Sequence, residues 1–166
     1  MAGSGRISLL VDSPLQTLAR AMRDVEPEVK RQIGKATKAD ASPIWLESMR
    51  GHANTRQEVR LAGSGQVGVT AQNVFLRAGG PGALSSGTPI ATVAKPIEFG
   101  ANPNRVIQTH SRKGTPYKRR MGTMYRLPRR GGYVAYPAAS DSIPRFASLW
   151  VQTARRTIFE QLEKVT

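Results

Sequence analysis

The sequence predicts an α+β fold, in which N-terminal helices and a long C-terminal helix pack on a small antiparallel β-sheet, with extended loops or a β-arm. Apolar residues recur at helical spacing near both ends of the chain, and they alternate with polar residues between the two helical regions. Glycine and proline interrupt the middle of the chain repeatedly. A length of 166 residues lies within the usual size of one domain, so we expect residues 1–166 to form a single domain.

The helical part is predicted over residues 13–50. Ser13 and Pro14 place a capping hydroxyl before a proline at the first helical position, and an apolar stripe follows them. Pro27 stops or kinks this first helix, because proline lacks an amide hydrogen. The helical pattern then resumes, and it predicts a long second helix that is broken near Pro43.

Residues 56–78 are predicted to form β-hairpins. Apolar residues occur at every second position here, in three groups that are separated by Gly63-Ser64-Gly65 and by Gln72-Asn73. These residues are Val59, Leu61, Val67, Val69, Val74 and Leu76. Residues 79–89 are rich in glycine and serine, so we expect a flexible loop there.

A C-terminal helix is predicted over residues 142–165. Asp141 or Ser142 is the expected cap, and Pro144 falls in the first turn, where proline is tolerated. The apolar stripe that supports this helix consists of Phe146, Leu149, Trp150, Thr153, Ala154, Ile158, Leu162 and Val165.

Residues 101–140 are predicted to form a basic extended arm, with strand-like pieces at 105–109, 124–127 and 133–136. The formal net charge of the chain is +14, and no Asp or Glu occurs between Gly100 and Ser140. The nine cations of this arm are the candidate contacts with DNA or a partner protein: Arg105, Arg112, Lys113, Lys118, Arg119, Arg120, Arg126, Arg129 and Arg130.

Three interpretations of this charge remain open: a nucleic-acid backbone, an acidic protein surface, or a solvated loop that keeps the protein soluble. Tyrosines lie among the cations, but no recognition helix or zinc finger accompanies them, so base-specific reading is not expected.

Few residues suggest catalysis, and we expect no enzyme activity, no metal and no cofactor. Cysteine is absent, and only His52 and His110 carry imidazole, which excludes cysteine-based sites. We interpret both histidines as surface or turn residues. Glu98 is the one carboxylate in an apolar setting; a buried or interface ion pair is favoured there over a catalytic acid. No apolar run is long enough to span a membrane, and the N-terminus lacks the pattern of a signal peptide.

The order of these parts, together with two short motifs, resembles the tail-component or neck family of siphophages. Ala94-Lys95-Pro96-Ile97-Glu98-Phe99-Gly100 precedes the basic region, and Ile143-Pro144-Arg145-Phe146 opens the last helix. The residues that carry this resemblance, and the candidate structural motif, are Glu98, Phe99, Gly100, Pro144 and Phe146.

The resemblance implies a non-catalytic subunit of the virion neck or tail, made in the host cytoplasm, that completes the tail or connects it to the head. It implies a homo-hexameric ring whose partners are the tail terminator, the tail tube and the head-closure or portal-side connector proteins. The basic arm would then face double-stranded DNA in the channel or the surfaces of partner rings. The alternative is a nucleic-acid-binding protein without sequence specificity.

Overall fold

A computed structural model describes residues 7–10, 27–69, 74–111 and 113–165 of the chain, and it confirms the α+β prediction. The strands are β1 (Ile7–Leu10), β2 (Gln66–Val69), β3 (Val74–Ala78), β4 (Val106–His110) and β5 (Pro116–Arg120). The helices are α1 (Pro27–His52), α2 (Arg56–Gly63), α3 (Ile90–Phe99) and α4 (Ala135–Val165), with a 3-10 turn at Gly122–Met124. The helix predicted to begin at Ser13 lies outside the described residues. None of the helices in the described ranges is both long and apolar enough to cross a membrane.

The described strands form two separate antiparallel sheets. Strand β3 lies between β1 and β2, with Leu76 opposite both Leu9 and Val67. Strands β4 and β5 pair only with each other and form a hairpin over residues 106–120. The alternating residues at 67–69 and 74–76 therefore do form paired strands, as the sequence predicts.

Helix α1 runs without a break through Pro43, so the expected break in the second helix is wrong. Ala41, Trp45 and Met49 are completely buried along one face of α1, and the indole N–H of Trp45 donates to the Arg77 carbonyl oxygen at 3.2 Å. Proline in a helix interior costs about 3 kcal/mol. Packing of this face offsets that cost and holds the helix together.

The first predicted hairpin strand is also wrong, because Val59 and Leu61 lie in helix α2. The Thr55 hydroxyl accepts from the Glu58 amide, and the Glu58 carboxylate accepts from the Thr55 amide at 3.0 Å. This capping box starts a helix, and two apolar residues at alternate positions are too few to outweigh it. Leu61 is buried, whereas Val59 is 54% exposed.

Helix α4 begins at Ala135 rather than at residue 142, and the expected cap at Ser142 is wrong. Ser142 lies inside the helix, where its hydroxyl donates to the Ala138 carbonyl oxygen at 2.6 Å and contacts the Ser48 hydroxyl at 2.9 Å. Helices α1 and α4 run antiparallel, since His52 at the end of α1 contacts Asp141 near the start of α4.

The basic extended arm over 101–140 is correct only in part. The hairpin is extended, but 124–127 and 133–136 are not strands. Val134, Ala135, Ala138 and Ala139 are buried in the main core, together with Trp45, Leu61, Leu76 and Phe146. Residues 79–89 contain no helix or strand, apart from one bridge between Ala83 and Pro89.

Candidate functional site

The Glu98 carboxylate caps the N-terminus of helix α4. It is fully buried at the end of α3 and accepts from the amides of Val134 at 3.2 Å, Ala135 at 2.8 Å and Tyr136 at 3.0 Å. A negative charge is favourable at a helix N-terminus, where amide hydrogens lack partners within the helix. The predicted ion pair is wrong, because the partners of Glu98 are backbone amides. Its role in the fold accounts for its burial.

Phe99 and Gly100 join the same end of α3 to the basic region. The Phe99 ring packs edge-on against Tyr136, with centroids 5.3 Å apart, and its carbonyl oxygen accepts from the Arg129 amide at 2.8 Å. Gly100 has a φ of 73°, and a Cβ there would collide with the carbonyl oxygen of Leu127. The Glu-Phe-Gly segment is therefore a structural junction, and Gly100 permits the close approach.

Pro144 and Phe146 have different environments on helix α4. Phe146 is 2% exposed and belongs to the core, whereas Pro144 is exposed inside the helix. The candidate motif thus divides into the junction around Glu98 and a core position at Phe146.

Arg126 and Arg129 have internal partners. The Arg126 guanidinium lies 3.9 Å from the centroid of the Tyr133 ring, and its Nη1 is 3.4 Å from Glu58 Oε1. The Arg129 guanidinium lies 5.3 Å from the same ring. Glu58 is buried, so its charge is balanced by Arg126 and by the amides of its capping box. These two arginines therefore fix the segment that follows the hairpin to Tyr133 and Glu58.

Sequence reasoning did not find the roles of Glu58 and Tyr133. Thr55 and Glu58 have the spacing of a capping box, which was sufficient to identify the helix start. The contact of Tyr133 with two arginines depends on how the chain folds back after the hairpin, and no local pattern indicates it.

The hairpin has an outer and an inner face. Along β4, Val106, Gln108 and His110 are exposed, whereas Ile107 and Thr109 are half-buried. Residues directly opposite each other in an antiparallel pair share a face. The pairing therefore places Lys118 and Arg120 on the outer face, opposite Gln108 and Val106, and it places Tyr117 and Arg119 on the inner face.

One residue of the inner face, Arg119, is close enough to Tyr125 for its charge to act on the phenol. Burial raises the pKa of the Tyr125 phenol above its ordinary value, and the Arg119 charge acts in the opposite direction. Tyr125 packs against the main core, so Arg119 lies on the side of the hairpin nearer the body.

The base of the hairpin is closed by backbone hydrogen bonds. The Met121 amide donates to the Arg105 carbonyl oxygen at 2.8 Å, and the Gly122 amide donates to the Pro103 carbonyl oxygen at 2.9 Å. Among the described residues, β4 and β5 pack mainly on each other, and neither packs extensively on a helix or on the three-stranded sheet. The hairpin therefore projects from the body.

The cations of the basic region divide into two groups. Arg126 and Arg129 have the internal partners given above. The remaining described cations of this region are exposed and have no ion pair or stacked ring among the described residues: Arg105, Lys113, Lys118, Arg119, Arg120 and Arg130. Arg112 lies outside the described residues.

A cleft of about 400 Å³ opens beside the base of the hairpin. Its wall includes Arg56, Ile97, Met124 and Arg126, and its single carboxylate, that of Glu58, already has partners. Within the described ranges, no three His, Asp or Glu side chains are grouped as metal ligands would be.

The two histidines lie apart. The His52 Nε2 atom is 2.8 Å from Asp141 Oδ2, a contact between α1 and α4, and His110 is exposed at the end of β4.

Comparison with protein-family models, with curated proteins and with solved structures found no match for this chain.

Proposed function

We propose that this protein is a non-catalytic structural subunit of a long-tailed phage neck, which completes the tail or connects it to the head. The observation that carries the proposal is the cationic hairpin over residues 106–120, which projects from a small helical body and has every side chain of β5 exposed. A projecting element of this kind is suited to contact a neighbour in a larger particle.

The junction around Glu98 supports the proposal. It fixes α3, the exit of the hairpin and the start of α4 to one another through short hydrogen bonds. The body is thus a rigid base, and the hairpin is the part available for contact. Both oxygens of the Glu98 carboxylate accept hydrogen bonds from backbone amides in this junction, which favours an assembly protein over an enzyme.

In this proposal the subunits form a homo-hexameric ring in the virion neck. The ring lies between the tail terminator or tail tube and the head-closure or portal-side connector proteins. The chain has a formal net charge of +14, and in this proposal an anionic neighbour in the particle attracts it.

Disruption of the gene in the genome that encodes it tests the proposal. We expect filled heads and free tails to accumulate without joining, as seen by electron microscopy, because the connecting subunit is missing. Supply of the intact protein in trans restores joined particles. Supply of a variant with residues 106–120 replaced by a short turn does not.

Two results would contradict this function: joined, infectious particles in the absence of the protein, or a gene that lies outside any cluster of head and tail genes. A variant with Lys35→Ala and Arg155→Ala is a control for loss of exposed charge elsewhere on the surface. It removes exposed charge from α1 and α4 and is expected to restore joining.

The exposed, acid-free hairpin also favours a second candidate, a cellular nucleic-acid-binding protein without sequence specificity. The same gene disruption separates the two candidates. A cellular protein of this class leaves head-to-tail joining intact and is found on nucleic acid in cells that contain no phage structural genes.

A further inference from the structure

We infer that the outer face of the β4–β5 hairpin binds the phosphate backbone of double-stranded DNA without regard to base sequence. This inference rests on the proposed function, since it names the neighbour that the same hairpin contacts. It is carried by the distribution of charge over the two faces and by the shape of the hairpin.

The charge of the outer face has no internal partner. Lys118 and Arg120 are exposed, and neither has an ion pair or a stacked ring among the described residues, in contrast to Arg126 and Arg129. Between Phe99 and Ser140 the sequence contains no carboxylate that could neutralise them. Solvent and salt screen their mutual repulsion only in part, and an anionic ligand on this face would relieve it further.

The dimensions of the hairpin fit duplex DNA. A strand advances about 3.4 Å per residue, and phosphates follow one another at about 3.4 Å along the axis of each DNA strand. Lys118 and Arg120 lie two positions apart on one face, about 7 Å along the strand, so both side chains can reach phosphates of the same DNA strand.

The composition of the outer face favours DNA over an acidic protein. Its apolar members are Val106, which is 58% exposed, and Pro116 at the far end, and neither is an aromatic anchor. Protein interfaces usually have an apolar or aromatic centre that excludes water. Gln108 and His110 instead add polar groups beside the two cations, which suits contact with phosphate oxygens.

The tip of the hairpin extends the same surface. The Ser111 amide donates to the Thr115 carbonyl oxygen, and the Gly114 amide donates to the Ser111 carbonyl oxygen, both at 2.9 Å. Gly114 has a φ of 83°, which favours glycine in this tight turn. The turn holds exposed Lys113 at the end of the ribbon, where it provides a further phosphate contact.

Fluorescence anisotropy with labelled duplexes of about 30 base pairs and two unrelated sequences tests the inference. We expect the full-length protein to bind both sequences with equal affinity, and the affinity to fall as salt is raised from about 50 to about 200 mM. In the variant Lys118→Ala/Arg120→Ala, the slope of log K against log salt is reduced by about 1.8, because two phosphate contacts are lost at about 0.9 each. Between these two salt concentrations, the affinity of the variant therefore falls by a factor that is about ten times smaller than the factor for the wild type.

The control variant Lys35→Ala/Arg155→Ala removes the same charge from exposed positions on α1 and α4. Its salt slope is expected to equal that of the wild type. Equal slopes for the two variants would overturn the inference, because the effect would then belong to net charge and not to the hairpin. Binding of poly-glutamate as tightly as duplex DNA, through Lys118 and Arg120, would also overturn it in favour of an acidic protein.

The DNA measurement and the joining assay can contradict the DNA-binding inference and the neck function separately. If Lys118→Ala/Arg120→Ala leaves DNA binding unchanged but prevents joining, the neck function stands and the hairpin contacts a protein. If the variant loses DNA binding while disruption of the gene leaves joining intact, the DNA surface stands and the neck function fails.

Discussion

Gly132 illustrates how one residue type can be fixed by a distant contact. Its φ is 64°, and a Cβ at this position would collide with the Glu98 carboxylate, which caps helix α4. The adjacent Gly131 has open space around its Cα. Two neighbouring glycines therefore have different requirements, and Glu98 is the cause.

Gly132→Ala is expected to lower the free energy of unfolding by about 1–3 kcal/mol or more, because alanine is strained at this φ and displaces the carboxylate. Urea denaturation measures the change. Gly131→Ala is the matched control and is expected to change stability by less than about 1 kcal/mol. Equal effects of the two substitutions would show that Glu98 does not occupy this position.

Tyr125 gives the protein a specific dependence on alkaline pH. Burial raises its pKa in the folded state, so the folded protein retains the phenol proton to higher pH than the unfolded chain. The resulting stabilisation is fully present below the unfolded pKa of about 10, and it is lost as pH rises through the folded pKa.

Tyr125→Phe is therefore expected to flatten the decline of stability above about pH 10, relative to the wild type, once both are normalised at neutral pH. Urea denaturation at a series of alkaline pH values measures this decline. An unchanged slope in the variant would mean that the phenol is as solvated in the folded protein as in the unfolded chain.

At the scale of elements, the buried face of α1 contains a polar defect. Thr37 is 2% exposed, and its hydroxyl has no hydrogen-bond partner among the described residues. A buried hydroxyl without a partner costs about 1–3 kcal/mol, so this position lowers the stability of the fold.

Thr37→Val is expected to raise the free energy of unfolding by about 1 kcal/mol, since it removes the hydroxyl and keeps the shape of the side chain. Thermal and urea unfolding measure the gain. Thr37→Ser, which keeps the hydroxyl and removes a methyl group, is expected to lower stability by about 1 kcal/mol. Destabilisation by valine would indicate that a water molecule or another partner satisfies the hydroxyl.

No side chain of β4 or β5 is fully buried. Arg105 and Met121 are already joined by a backbone hydrogen bond, so a two-residue Asn-Gly turn can replace residues 106–120 between them. We expect the free energy of unfolding to change by less than about 1 kcal/mol, because the side chains lost are exposed or half-buried.

Circular dichroism during thermal unfolding checks this expectation. Trp45→Ala, which opens a cavity in the core, is the contrasting variant and is expected to cost about 3–5 kcal/mol. A loss of that size on hairpin replacement would show that β4 and β5 support the body, and it would weaken their assignment as a contact element.

At the scale of the whole molecule, helices α1 and α4 both extend from the main core to buried residues outside it. Trp45 and Phe146 anchor these helices in the core, and buried Ile33 and Ala154 continue the contact beyond it. A helix propagates order along its length, so the parts joined by α1 and α4 are expected to unfold together.

We therefore expect a single cooperative transition in urea, with coincident curves from tryptophan fluorescence and far-ultraviolet circular dichroism. Loss of helical signal at lower urea concentration than the change in fluorescence would contradict this expectation. It would show that the distant ends of the helices unfold separately from the core.

The sequence by itself determined the elements whose pattern is local and repeated. The α+β class, a helix from Pro27 towards Met49 (though not its continuity through Pro43), the strands around Val67 and Leu76 and a strand near residues 105–109 all follow from periodicity and turn residues. The concentration of cations without carboxylates between Gly100 and Ser140 is likewise a property of composition. These features depend on residues that are neighbours along the chain.

Only the tertiary structure decided which of those residues serve the fold and which remain available. Glu98 meets the amides of residues 134–136, Arg126 meets Glu58, and Ser142 meets Ser48, all across long separations in sequence. Side chains from different elements satisfy buried charges and helix ends, so a local pattern does not identify the partner. For the same reason α4 begins at Ala135, and among the described cations of the basic region only Arg126 and Arg129 stack on a ring of the body.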